Sequence, residues 1–176
     1  MASTLLPGPD AWRSWLGLSV LVVMADQVVK YLITVLMPLG TIIPVTPFFN
    51  MVHVRNPGAA FSFLADADGW QRYAFTVLGL AVSAVLIGLL RRGTENRSEA
   101  LAYALIIGGA MGNVLDRIAR GAVVDYLDFH WLGWHCPAFN IADISLTLAA
   151  LLLIVAACSM SRESPDQPIP FPKNRR

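Results

Sequence analysis

The stretch Tyr73–Leu90 holds no charged residue, and beside its aliphatic, aromatic and glycine residues it has only the small hydroxyls Thr76 and Ser83, too few to make a polar face. A helix that is apolar all round belongs in a large core or in lipid. A large core is not available to 176 residues, of which 56% are hydrophobic and 14% charged, against about 25% charged in an ordinary soluble domain. Three further apolar runs follow the same logic. One extends from Trp15 to about Leu36, interrupted by Asp26 and Lys30. Another runs from Leu101 to about Ile118 and holds Asn113, Asp116 and Arg117 in its last turns. The last runs from about Phe139 to Met160 and holds Asn140 and Asp143. Each can supply the roughly 20 residues that cross a bilayer. The expected fold is an all-α membrane protein with four transmembrane helices, over about 15–36, 72–90, 100–119 and 139–160, in a single membrane domain covering 1–176. A net charge of +1 gives no pull toward nucleic acid.

Arg13 followed by Trp15–Ala25 and Val23-Met24-Ala25 imitates a secretory signal with a small-residue cleavage site. The apolar run resumes at Val28 and passes Ile33, so the segment reads as a span. Arg13, Arg91, Arg92, Arg97, Arg162, Lys173, Arg175 and Arg176 put eight of the 13 basic residues at one end of the bundle. By the positive-inside rule both termini and Arg91–Glu99 are cytoplasmic, and Met37–Arg72 and Gly121–Ala138 face outward. The outer region over about 44–64 is expected to be β-rich. Phe49–Arg55 reads as a strand, Asn56-Pro57-Gly58 as a turn and Ala60–Phe63 as a returning strand, forming a small sheet on the membrane surface. Trp70, Trp131 and Trp134 suit the outer interface. The proline-rich tail, about 161–176, is expected to be disordered.

Three of the four spans carry ionisable residues at the same depth, near the outer edge. Such residues face the bundle interior or water. Asp26 and Lys30, four apart, suit a structural ion pair. Asp116 and Arg117 are adjacent and so point apart, each toward another helix. Asn113 and Asn140 can hydrogen-bond between helices, and Gly108-x-x-x-Gly112 resembles a small-residue packing motif. Asp125, in the apolar stretch Val123–Leu127, and Asp143, early in the fourth span, are close enough in sequence to meet. Two neighbouring carboxylates cannot both ionise easily, so they titrate as a pair. That is the aspartic-protease arrangement. On spacing alone Asp128 remains a rival to Asp125. His53, His130 and His135 form no metalloprotease pattern, and Ser62, Ser83 and Ser145 have no evident base. Cys136 and Cys158 have no metal-ligand spacing and lie about a bilayer apart, too far to pair. No metal or cofactor is expected. The competing reading is a small transporter or channel subunit with a polar path. It would need polar residues through the whole membrane thickness, whereas Tyr73–Leu90 has no charge. An assembly factor without turnover would need no close carboxylate pair.

The chain resembles the lipoprotein signal peptidases, also called signal peptidase II, over about Gly17 to Ala157. The matching motifs are Asp26-x-x-x-Lys30, Asn56-Pro57-Gly58-Ala59-Ala60-Phe61-Ser62-Phe63, Gly108-Gly109-x-x-Gly112-Asn113-x-x-Asp116-Arg117, Val124-Asp125-Tyr126 and Pro137-Ala138-Phe139-Asn140-x-Ala142-Asp143. The resemblance implies an aspartyl endopeptidase of the bacterial inner membrane. Its partners would be diacylglyceryl-modified prolipoproteins, cut just before the lipid-bearing cysteine, together with membrane lipids and globomycin-type inhibitors. A monomer is expected. It implies Asp125 and Asp143 as the catalytic pair, setting Asp128 aside. Asn56, Gly58, Asn113, Arg117 and Asn140 match positions around substrate and dyad, and Asp26, Lys30 and Asp116 match supporting positions. An outer β-cradle over Phe49–Phe63 and a small mobile helix over Phe61–Trp70 are implied as well. Cys136, before Pro137, departs from the bulky aromatic expected there.

Overall fold

The computed structural model describes residues 11–58, 69–94 and 96–162. Four helices, α1 (Ala11–Leu36), α2 (Trp70–Arg92), α3 (Arg97–Arg120) and α4 (Ile141–Arg162), are joined with four strands, β1 (Ile42–Thr46), β2 (Phe49–Asn56), β3 (Val123–Trp131) and β4 (Trp134–His135). All four helices are long and apolar enough to cross a membrane. Their apolar side chains point outward: Val20, Leu21, Met24, Val77, Val85, Leu151 and Ile154 are exposed. In a bilayer these positions face lipid, which removes the cost of leaving them outside a core. Helix α1 begins four residues ahead of the expected Trp15, and α4 begins two residues after Phe139, because Asn140 caps it.

Helix α3 is the axis of the bundle. Helices α1, α2 and α4 each pack along it, while α2 and α4 share no comparable interface. Small residues allow the close approach. A Cβ at Gly108 would stand 2.7 Å from Val22 Cβ and 3.0 Å from the Ser19 carbonyl; one at Gly109 would stand 2.5 Å from the Ala142 carbonyl; one at Gly112 would stand 2.6 Å from Asp26 Oδ2. Gly108 and Gly112 thus seat α1 and Gly109 seats α4, the packing use that small-residue spacing has in membranes. Ser19 Oγ adds an interhelical hydrogen bond to the Ala104 carbonyl at 2.8 Å.

The sheet closes one end of the bundle, in the order β1-β2-β3-β4, each pair antiparallel. Strand β2 is the expected Phe49–Arg55 strand, one residue longer. The rest corrects the sequence reading. The sheet begins at Ile42 rather than about 44, and the partners of β2 are β1 and β3. Strand β3 is drawn from the apolar stretch beyond the third helix. The expected strand Ala60–Phe63, most of the small helix over Phe61–Trp70 and the tail beyond 162 lie outside the described residues. Strands β3 and β4 are joined through Leu132 (φ 48°) and Gly133 (φ 85°), the two positive-φ residues that a two-residue hairpin loop requires. Trp70, Trp131 and Trp134 are exposed at this end, where an indole can sit among lipid headgroups.

Candidate active site

Asp125 and Asp143 reach one place from two elements. Asp125 lies in β3, opposite Val54 of β2, and is buried. Asp143 lies in the first turn of α4. Asn140, the residue before α4, binds both. Its Nδ2 donates to Asp125 Oδ1 at 2.6 Å; its Oδ1 accepts the Asp143 backbone N–H at 3.0 Å; its own N–H donates to Asp143 Oδ2 at 3.3 Å. The last two bonds form a capping box, in which the cap residue and the third helical residue satisfy each other's backbone. A carboxylate there also benefits from the positive end of the helix dipole. Helix capping therefore holds Asp143, and the spare amide of the cap holds Asp125. Asn56 Nδ2 donates to Asp125 Oδ2 at 3.1 Å, and Asn113 Nδ2 donates to Asp143 Oδ1 at 2.9 Å. Burial, and next the nearby Asp143 charge, push the Asp125 carboxyl up to about 7, against the lowering hydrogen bonds from Asn140 and Asn56.

Both carboxylates line a cavity of about 580 Å³. Its polar end holds Asn56, Gly58, Asn113 and Arg117; its length is apolar, with Leu78 and Val82 from α2, Ile106 and Ala110 from α3, and Ile144 and Leu148 from α4. The cavity thus follows the gap that α2 and α4 leave over α3. Arg117 donates to the Gly58 carbonyl at 2.8 Å and lies 5.2 Å from the Phe75 ring centroid. Gly58 is held in turn by its N–H on Asn56 Oδ1 at 2.9 Å, an Asx turn. Asp26, Lys30 and Asp116 sit behind this wall, with Lys30 Nζ 2.8 Å from each carboxylate.

Asp128 lies elsewhere. Its Oδ2 accepts from Asn50 Nδ2 at 2.8 Å, both of its carboxylate oxygens are 3.0 Å from His135 Nδ1, and it does not line the cavity. Cys136 is exposed at the cavity lining and Cys158 is exposed on α4; both are free thiols. Three participants escaped the sequence reading: Gln27 and Arg120, which bind Asp116 from the outside, and Phe75, under Arg117; Tyr126, present there only as part of a motif, accepts the Ile141 N–H on its hydroxyl at 3.2 Å. The spacing of four between Asp116 and Arg120 was the one available signal.

Four membrane-length helices, a sheet across one end and a carboxylate-bearing cavity between them define a membrane-embedded enzyme. Solved structures of that class resemble the chain. A bacterial membrane enzyme determined by the in meso method at 2.3 Å resolution matches with a TM-score of 0.76 at 31% identity, over 89% of this chain and 94% of that one. A second, at 1.9 Å resolution, matches with a TM-score of 0.70 at 34% identity, over 82% and 92%. The family described as signal peptidase (SPase) II matches residues 18–159. Lipoprotein signal peptidases of Burkholderia vietnamiensis (strain G4 / LMG 22486) and Burkholderia multivorans (strain ATCC 17616 / 249) are each 50% identical over 155 residues, 88% of this chain and 93% of theirs. The chain belongs to the signal peptidase II family of membrane peptidases.

Proposed function

We propose that the chain is an aspartyl endopeptidase of the bacterial inner membrane that removes signal peptides from diacylglyceryl-modified prolipoproteins, with Asp125 and Asp143 as the catalytic pair. The observation that carries this reading is the double grip of Asn140, which ties the buried Asp125 and the half-buried Asp143 together at the head of an apolar cavity. The aspartyl chemistry follows from the pair. One carboxylate is ionised and takes a proton from water as the water oxygen attacks the scissile carbonyl carbon. The protonated partner donates to the carbonyl oxygen and stabilises the tetrahedral intermediate. Collapse breaks the C–N bond, the leaving amine takes the proton from the first carboxyl, and the second carboxyl is reprotonated from the intermediate's hydroxyl. The dyad returns to its starting charge.

The substrate assignment rests on the relatives' activity and on the shape of the cavity. An apolar channel leading from a polar head suits a hydrophobic signal segment whose cleavage site lies at the membrane edge. Arg117 and Asn56, which line the cavity, are the polar groups that can meet the peptide and the headgroup region, while Asn140 is fully buried and acts on the dyad alone. Acyl chains remain in an apolar environment on either side of binding, so their burial, worth about 0.8 kcal/mol per CH₂ against water, gives little discrimination against bulk lipid. The active site faces the periplasmic side, both termini are cytoplasmic, and the enzyme acts as a monomer without cofactor. Globomycin-type inhibitors would occupy the dyad. The purified protein in detergent should cleave a diacylglyceryl-modified prolipoprotein and leave the unmodified precursor uncut. Absence of cleavage by folded protein would refute the assignment.

A further inference from the structure

We infer that Lys30, with Asp26 and Asp116, is a buried spacer that sets the separation of the two catalytic aspartates from behind the site. The inference rests on the aspartyl reading above. An ammonium has three N–H donors, and those of Lys30 go to three acceptors: Asp26 Oδ2 at 2.8 Å, Asp116 Oδ2 at 2.8 Å and Asn113 Oδ1 at 3.0 Å. Each acceptor leads to the dyad. Asp116 Oδ2 accepts the backbone N–H of Val124 at 3.1 Å, the residue before Asp125. Asp26 Oδ1 accepts the backbone N–H of Ala142 at 3.0 Å, the residue before Asp143. Asn113 turns its Nδ2 to Asp143 itself at 2.9 Å.

The side chains of Lys30, Asp26 and Asp116 are fully buried, as are Val124 and Ala142, and none of the three charged residues lines the cavity. Tying α1 to α3 would need only the Lys30–Asp116 pair. The two grips on backbone N–H groups add nothing to that tie; they fix β3 and the first turn of α4 at the residues that carry the carboxylates. Asp26 also satisfies one of the helix-start N–H groups that α4 leaves without an intrahelical partner. Gln27 and Arg120 close the outer side of the assembly on Asp26 and Asp116. A single buried cation therefore bears from behind on two elements that Asn140 and Tyr126 join at the front. These three are positioning residues, since none reaches the cavity.

The test uses full-length protein in detergent and a diacylglyceryl-modified prolipoprotein, with kcat, KM and the pH profile of the rate measured per folded enzyme. Asp26→Ala releases the Ala142 grip. Misplacing reacting groups by about 1 Å costs on the order of 10²-fold, so kcat should fall by that order with KM unchanged. In Gly112→Ala, where no charge changes, the two pH limits of the rate should also draw together, because coupling between the carboxylates weakens as they separate. Asp26→Asn, which keeps an oxygen for the Ala142 N–H, should restore part of the rate. Gly112→Ala keeps every charge and pushes its Cβ against Asp26 Oδ2, so it carries the test if Asp26→Ala does not accumulate. A folded Gly112→Ala with the wild-type spacing of pH limits, whatever its rate, overturns the spacer. Asp125→Asn in the same assay separates the two failures. If it is inactive while Gly112→Ala keeps the wild-type profile, only the spacer is wrong; if it turns over normally, the aspartyl reading itself is wrong.

Discussion

At Asp125 burial works against the hydrogen bonds of Asn140 and Asn56, and burial prevails. The Asp125 carboxyl, pushed up to about 7 from an ordinary 3.8 chiefly by burial, holds its proton more tightly in the native chain than in the unfolded one. Its contribution to stability is therefore complete below about pH 4 and is lost as the pH rises through about 7. The melting temperature in detergent should fall from about pH 5 to about pH 8 for this reason. Asp125→Asn should flatten that fall and melt above the wild type at the upper pH. Parallel melting curves for the two proteins would contradict this. At this scale the sequence was informative through depth: ionisable residues near one edge of several apolar runs are expensive unless they have partners. It could not reveal which partners. Asp125 and Asp128 lie three apart in one strand and so point to opposite faces; the structure shows Asp128 bound by Asn50 and His135 and Asp125 at the cavity. Arg120 and Gln27, ordinary polar residues in the sequence, acquire their role from the buried Asp116 they enclose.

The helices were legible because length and uniform apolarity need no knowledge of partners. The sheet was half legible. Phe49–Asn56 mixes β-branched, aromatic and polar residues in a short run and declares itself a strand. Val123–Trp131 does not, because Val124, Asp125 and Tyr126 are all buried and the two-residue alternation is lost. Its pairing with β2 joins residues about 70 positions apart in the chain, for example Val54 with Asp125, and no local pattern announces such a contact. The glycines of α3 were readable as a packing motif, and the structure adds which neighbour each one admits. Gly108→Ala would drive a methyl group into Val22 and the Ser19 carbonyl. Overpacking of this kind costs about 1–3 kcal/mol, so the variant should unfold at a lower denaturant concentration in detergent. Gly88→Ala, on a face with no neighbour within 4 Å, should be neutral. Equal losses from both would show that α1 and α3 do not need this approach.

The whole molecule is an inside-out arrangement: apolar side chains outward, a polar spacer and a carboxylate pair inward, and a sheet across one end. Basic residues gather at the opposite end, with Arg13, Arg91, Arg92 and Arg97 at or near helix termini. By the positive-inside rule that asymmetry is the basis of the proposed orientation, with the sheet outside. Reporter fusions after Arg97 and after Arg176 should read cytoplasmic, and a fusion at the Leu132–Gly133 turn should read external; a cytoplasmic signal at that turn would invert the proposed topology. On the proposed reading, this bundle holds two aspartates at the head of an apolar cavity for peptide hydrolysis. The most direct test is turnover of a diacylglyceryl-modified prolipoprotein by purified Asp125→Asn, Asp143→Asn and Asp128→Asn, each compared with the wild type at equal folded concentration. Either of the first two removes one partner of the acid–base pair while keeping its size and hydrogen-bonding capacity. Each alone should nearly abolish cleavage, with Asp128→Asn close to wild type. Substantial turnover by folded Asp125→Asn or Asp143→Asn would rule out this pair as the catalytic groups.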